Sequence, residues 1–255
     1  MNHFTSPAAA RYYVQGRPYF HPWVRDAIRN RLPGGFRFER GLDVACGTGL
    51  STRMLADLAD HVLGVDLSES MLAHAYRAPN IEYKVGAAED LPVPDSSFDV
   101  LTVALALHWF DRPRFLAEAR RVLKPAGKMI LYNHWFAGEM ASNPRFGEWH
   151  AQVYLPRYAP PKRDSTPFQV SEATQAGFRE FNSESFQNYW PFTPTELVSY
   201  FTSQSNVISV VQSGRETEEE ITSWILAQLV PFWTLERETF RFSGSIISAR
   251  NGKNA

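Results

Sequence analysis

The chain is poor in cysteine. Its 255 residues contain one, Cys46, which excludes an internal disulfide and suits a reducing, cytoplasmic compartment. It also lacks an excess of charge. Lys and Arg number 26 against 27 Asp and Glu, a formal net charge of -1, so there is no global electrostatic reason to bind nucleic acid or an anionic membrane. No apolar run approaches the ~18 residues of a membrane span, and Met1 to Tyr12 carries no apolar secretion core. Repeats and low-complexity tracts are missing as well, and no metal site is expected. Apolar residues make up 44% of the chain, enough for one large domain with a sizeable core.

The most informative stretch is Gly41-Leu42-Asp43-Val44-Ala45-Cys46-Gly47-Thr48-Gly49-Leu50-Ser51-Thr52. Leu42 to Ala45 reads as a short buried strand. Gly47-Thr48-Gly49 supplies a turn that backbone can use to approach a ligand without a Cβ in the way. Leu50, Met54, Leu55 and Leu58 then recur at helical spacing. Strand, glycine turn and helix together form the nucleotide-binding geometry of doubly wound α/β folds. Asp43 lies inside the strand, and Asp66 ends the next apolar run, Val62 to Asp66, where an acid can accept hydrogen bonds from ribose hydroxyls. The bland alternatives are a helix N-cap for Asp66 and a turn carboxylate for Asp43. Cys46 reads as a small residue in a tight turn rather than a nucleophile, since no triad surrounds it. In a dinucleotide fingerprint the third glycine would fall at Thr52, which weakens a pyrophosphate reading.

Asp43-Val44-Ala45-Cys46-Gly47-Thr48-Gly49 resembles motif I of class I S-adenosylmethionine-dependent methyltransferases, Asp-x-Gly-x-Gly-x-Gly, with Ala45 in place of the first glycine. Further segments extend the resemblance, two of them, Tyr13-x-x-x-Arg17-Pro18 and the text of residues 106–111, specifically to trans-aconitate methyltransferase-like, small-molecule enzymes. They are Tyr13-x-x-x-Arg17-Pro18 before a helix, Ala88-Glu89 after the third strand, and Ala106-Leu107-His108-Trp109-Phe110-Asp111 after the fourth. A fourth match is Lys124-Pro125-Ala126-Gly127, where the family usually has Lys-Pro-Gly-Gly. The resemblance implies S-adenosyl-L-methionine as cofactor. It also implies a cofactor site made of Asp43, Ala45, Cys46, Gly47, Thr48, Gly49, Asp66, Leu67, Met71, Ala88, Glu89, Ala104 and Leu105, with Tyr13 and Arg17 of the segment 1–20 closing over it. His108 is the candidate base for an acceptor that must lose a proton, and Trp109 a candidate acceptor contact, because ligands of open α/β sheets sit beyond the strand carboxyl ends.

The expected fold is α/β: a doubly wound, seven-stranded, mostly parallel sheet of the Rossmann-like methyltransferase type, in one domain. Strands are expected at 81–85, 98–107, 128–132, 178–189 and 240–249. Helices are expected from Ser68 to about Tyr76, from Arg112 to Leu123, from Thr193 through Phe201, and over Glu218 to Phe232. After the fifth strand, residues 136–176 read as a lid insertion with a helix near 143–154. Arg145, Arg157, Lys162 and Arg163 there suggest an anionic acceptor clamped by Arg145 or Arg157; ordinary surface pairing is the competing account. The expected activity is methyl transfer to a small molecule, with a carboxylic acid (O-methylation) as the candidate acceptor. An NAD-linked oxidoreductase and a non-catalytic cofactor-binding protein are the alternatives. The expected partners are the small-molecule acceptor alone, with no nucleic acid and no membrane, in a monomer or homodimer.

Overall fold

The computed structural model describes residues 7–161 and 166–253, with side chains from residue 10 onward. Phe4 of the N-terminal segment, and Lys162, Arg163 and Asp164 of the expected lid, lie outside the described residues.

Apolar runs too continuous for a one-sided sheet become the centre of the fold. β1 (Phe38–Val44) and β4 (Phe98–Ala104) are buried along most of their length, β1 fully so from Gly41. β1 pairs in parallel with β4 on one side and with β2 (Ala59–Asp66) on the other. β2 pairs in parallel with β3 (Ile81–Val85), and β4 with β5 (Leu123–Met140). With β6 (Phe178–Phe192) and β7 (Glu238–Asn251) the sheet has seven strands, in the order β3-β2-β1-β4-β5-β7-β6. The expected seven-stranded α/β sheet is therefore present, with β3 at its edge as its alternating sequence implied. The order reverses between β1 and β4, which opens a crevice beyond their carboxyl ends.

Eleven helices are found among the described residues. α1 (Pro7–Gly16) and α2 (His21–Arg29) precede the sheet. α3 (Leu50–Ala56), α4 (Glu69–Leu72) and α5 (Arg112–Val122) connect its parallel strands. α6 (Arg145–Trp149) continues through one π-helical turn, His150–Tyr154, into α7 (Leu155–Arg157). α8 (Val170–Gln175), α9 (Pro194–Thr202), α10 (Ser205–Gln212) and α11 (Glu218–Leu229) complete the set. α5 begins at the expected Arg112 and α9 one residue after the expected Thr193. Asp111 caps α5, and Thr193 and Glu196 form a reciprocal capping box on α9.

Several expected boundaries shift. The helix after Asp66 spans only Glu69–Leu72, and the fourth strand stops at Ala104, because Leu105 turns to a positive φ of 59°. β5 runs on to Met140, so residues 136–140 of the expected lid are strand. α1, α8 and α10 were not expected. α1 carried a legible signal, a proline at its start and a glycine at its end.

Tertiary contacts divide the chain into two units. One, the aromatic unit, holds the described residues of Met1–Pro18 and His134–Lys162, with Phe186–Gly244. The other, the glycine-turn unit, holds Tyr19–Asn133 and the described residues of Arg163–Ser185 and Ser245–Ala255. Each has its own core. Leu42, Leu101, Val103, Phe115, Val122 and Leu131 anchor that of the glycine-turn unit, and Phe146, Tyr154, Phe201, Ile225, Phe240 and Phe242 that of the aromatic unit. The segment 136–176 is shared between the two units.

Candidate functional site

The site of the glycine-turn unit grows from Asp43 at the end of β1. The carboxylate is fully buried. One oxygen accepts from Ser51 Oγ at 2.6 Å and Thr52 Oγ1 at 2.7 Å, and the other from Thr102 Oγ1 at 2.8 Å. Burial lifts its pKa to about 6, against the pull of these three hydroxyls. Asp43 thus ties the first turn of α3 and the middle of β4 to β1, and fixes the shape of the loop between them. Thr52, where a dinucleotide fingerprint would have glycine, is one of those ties.

The loop needs unusual backbone. Gly47 and Gly49 take positive φ values of 54° and 77°. A side chain at Gly49 would run into the Tyr83 hydroxyl. The Gly47 N–H donates to Asp66 Oδ2 at 2.8 Å, and Ser68 N–H donates to Asp66 Oδ1, also at 2.8 Å. Burial raises the Asp66 pKa, and these backbone donors oppose that rise. A carboxylate has about four acceptor positions, and the Leu67 backbone also donates to this one, so Asp66 keeps capacity for a further donor. Ser68 is the N-cap of α4, with its side chain accepting from Met71 N–H, so Asp66 is not the cap. Thr48 Oγ1 is buried with no hydrogen-bond partner among the described residues. Leu67 is 58% exposed beside the acid, and Met71 is buried behind Gly47.

The adjacent strand completes the crevice. Val103 is level with Val44 in the sheet, so Ala104 and Leu105 leave β4 at the same level as Ala45 and Cys46 leave β1. Ala104, Leu105, His108 and Trp109 are half-buried. The His108 and Trp109 rings lie 4.7 Å apart in the turn that follows. Ala88 is buried, and the Glu89 carboxylate accepts from the Asp111 N–H at 2.9 Å, pinning the loop after β3 to the start of α5. The structure therefore gathers residues 43–49, Asp66, Leu67, Met71, Ala88, Glu89, Ala104, Leu105, His108 and Trp109 in one unit.

Four expected site residues belong to the aromatic unit. Tyr13 and Arg17 form a cation–π pair with centroid distance 5.0 Å. Arg157 is committed: it pairs with Glu216 at 2.6 Å and lies over the Trp224 ring at 4.5 Å. Arg145 is exposed, and its guanidinium has no ion pair among the described residues. Sequence reasoning missed Ser51, Thr52 and Thr102 as partners of Asp43. The two on α3 are within reach of helical spacing, but Thr102 is 59 positions away and gave no signal.

The donor set fits S-adenosylmethionine. Asp66 has spare acceptor capacity for a ribose hydroxyl, Leu67 offers an apolar face to a base, and Gly47 leaves backbone open to a ligand.

Residues 42–131 match the family model described as a methyltransferase domain. A demethylmenaquinone methyltransferase of Renibacterium salmoninarum is 37% identical over 141 residues, covering 54% of each chain. The chain spans about half the length of the curated relatives it matches. A solved structure from Anaeromyxobacter dehalogenans, provisionally assigned as a type II methyltransferase, is 25% identical over 93% of this chain and 97% of that one, with a TM-score of 0.63. Phosphoethanolamine N-methyltransferase 2 of Haemonchus contortus, solved with S-adenosyl-L-methionine, gives a TM-score of 0.55 at 18% identity, covering 98% of this chain and 58% of that one. The fold is thus the Rossmann-like methyltransferase fold, and residues 42–131 match a methyltransferase domain in sequence as well.

Proposed function

We propose that this chain is a class I S-adenosylmethionine-dependent methyltransferase acting on a small molecule. One observation carries the reading. Asp66 ends β2 with spare acceptor capacity, bonded to the N–H of Gly47 in a left-handed turn, inside the stretch that matches a methyltransferase domain. The cofactor, when bound, supplies a methyl group on a sulfonium, which transfers by in-line displacement while the S–C electron pair stays on sulfur. The chain supplies position and shelter from water. Asp43 holds the turn, Asp66 takes the ribose, Leu67 and Met71 flank the base, and the half-buried His108 and Trp109 meet the acceptor. A carboxylate acceptor arrives already nucleophilic and needs no base; for a phenol or carbon acid, His108 is the proton acceptor.

A carboxylic acid acceptor is the finer part of the proposal. Its support within 136–176 is the unpaired guanidinium of Arg145; Arg157, held by Glu216, adds nothing to it. The trans-aconitate methyltransferase-like assignment rests on the resemblance of residues 106–111 and stays part of the proposal, as does a cytoplasmic location. Among the described residues no helix is long and apolar enough to cross a membrane.

The test is calorimetric titration with S-adenosylmethionine and with NAD. Asp66→Ala should weaken S-adenosylmethionine binding by about 1.5–3 kcal/mol, the usual worth of a hydrogen bond to a charged group. NAD binding tightly where S-adenosylmethionine does not would turn the reading to the oxidoreductase. An Asp66→Ala variant that binds the cofactor like wild type would remove the ribose assignment.

A further inference from the structure

A glycine inside a strand marks a close approach of another group, and β2 has one at Gly64. In the glycine-turn unit Gly64 is level with Asp43 on β1 and with Tyr83 on the edge strand β3. A Cβ on Gly64 would meet the Tyr83 ring at 2.6 Å and the Cys46 sulfur at 2.9 Å. The ring therefore lies over Gly64 and reaches across β2 to the turn that follows β1. Its hydroxyl stands where a side chain of Gly49 would be. One half-buried tyrosine thus requires glycine at two positions, 49 and 64.

The hydroxyl is bonded to backbone. Tyr83 Oη donates to the Tyr76 carbonyl at 2.6 Å, and the Tyr76 N–H donates to the Thr48 carbonyl at 3.0 Å. These two bonds tie the chain after α4 to the middle residue of the glycine turn. Burial pushes the Tyr83 phenol up, against the nearby Thr52 hydroxyl, so it keeps its proton and stays a donor. Two arginines support the tyrosines by cation–π contact. Arg77 lies 5.0 Å from the Tyr83 centroid and Arg53 4.9 Å from that of Tyr76. On the other side of the turn, the Met71 methyl group lies 3.1 Å from where a Cβ of Gly47 would be.

The turn needs such support. Gly47 and Gly49 have no side chains to pin them, and glycine loses more conformational freedom on ordering than any other residue. A ligand that binds the backbone of a loose turn must order it first, and a brace that orders it beforehand raises affinity.

We propose that Tyr83 is a positioning residue of the cofactor site: through Tyr76 and Thr48, its hydroxyl holds the turn of residues 47–49 in the shape that S-adenosylmethionine binds. Tyr83 acts from behind the turn, and its role requires no contact with the cofactor. The inference rests on the methyl-transfer reading.

The experiment is calorimetric titration of the full chain with S-adenosylmethionine, beside urea unfolding and amide hydrogen exchange. Tyr83→Phe keeps the ring over Gly64 and removes only the hydroxyl. It should weaken binding by roughly fivefold or more, the worth of one hydrogen bond written as a ratio. It should also speed exchange at the Tyr76 N–H and at the Gly49 N–H, which donates to the Cys46 carbonyl. Tyr158→Phe is the control for a merely structural loss. It removes a phenol bonded to Glu216 in the aromatic unit, and should lower the urea midpoint while leaving cofactor affinity within about twofold of wild type. Tyr83→Leu removes the ring as well and should bind more weakly still; if it fails to fold, the isosteric Tyr83→Phe carries the test. The proposal is overturned if Tyr83→Phe binds like wild type, or if Tyr158→Phe weakens binding as much. It is also overturned if affinity falls while exchange at Gly49 and Tyr76 is unchanged. Wild type that binds no S-adenosylmethionine would remove the methyl-transfer reading and this inference together, whereas unchanged affinity in Tyr83→Phe removes this inference alone.

Discussion

Asp43 shows how much a buried carboxylate can shape a loop. Its folded-state pKa of about 6 exceeds the ordinary 3.8, so the native protein holds this proton more tightly than the unfolded chain. The stabilisation from this group is complete below about pH 4 and is lost as pH rises through about 6. At 1.36 kcal/mol per tenfold change in proton affinity, the difference is about 3 kcal/mol. Asp43→Asn removes the titration and keeps the size. The stability of wild type relative to this variant should therefore fall by up to about 3 kcal/mol between pH 4 and pH 7, measured by denaturant unfolding across that range. A flat difference would show that Asp43 titrates in its ordinary range. Ala45 and Ala126 stand where the resembled family has glycine, and both adopt left-handed backbone, with φ of 55° and 61°. A Cβ costs roughly 1 kcal/mol there. Ala45→Gly should stabilise the protein by about 0.5–1 kcal/mol in urea unfolding, and a loss of stability would mean that glycine's freedom in the unfolded chain outweighs the relieved strain. The substitution was visible in the sequence; its backbone consequence was not, because nothing local distinguishes an alanine at positive φ from any other.

At the scale of elements, α1 is held by a contact that only glycine permits. A Cβ on Gly16 would strike the Ser199 carbonyl in α9. Gly34, by contrast, has open space around it. Gly16→Ala should cost about 1–3 kcal/mol, as expected for overpacking against backbone that cannot step aside, whereas Gly34→Ala should leave stability nearly unchanged. Chemical denaturation of both variants checks this, and equal effects would remove the docking role of Gly16. The elements that were legible were those with strong periodicity or explicit punctuation: β1, β4, α5 with Pro113 in its first turn, and α9 opening at Thr193. α10 was missed because Val207, Ile208, Val210 and Val211 are β-branched and favour strands locally, and the burial of Val207 and Val210 in the aromatic core overrides that preference. The extension of β5 was missed because Asn133 and Gly138 interrupt an alternation that His134, Phe136 and Met140 otherwise keep.

Over the whole molecule, the glycine-turn unit was readable because its chemistry is concentrated in short contiguous stretches. Asp43 to Thr52, Asp66 to Met71, and Ala104 to Trp109 each sit at the end of a strand, and the sheet order brings them together. The aromatic unit was not readable. It is assembled from three separated pieces of chain. Its arginines could be counted in advance, but which of them lacked an acid could not. The lone cysteine has a further use. The Cys46 sulfur lies in the direction of a missing side chain on Gly64, beside the Tyr83 ring. Burial, with Asp43 and Asp66 nearby, pushes its thiol well above the usual range. A thiol reagent can therefore reach it only when the turn opens. The rate of modification becomes a clock for that opening, with no second thiol to blur the reading. Labelling by a disulfide exchange reagent should be slow in the native protein, accelerate with mild denaturant, and slow further as S-adenosylmethionine occupies the turn. Rapid labelling that is indifferent to the cofactor would show that the turn breathes freely and that no ligand clamps it.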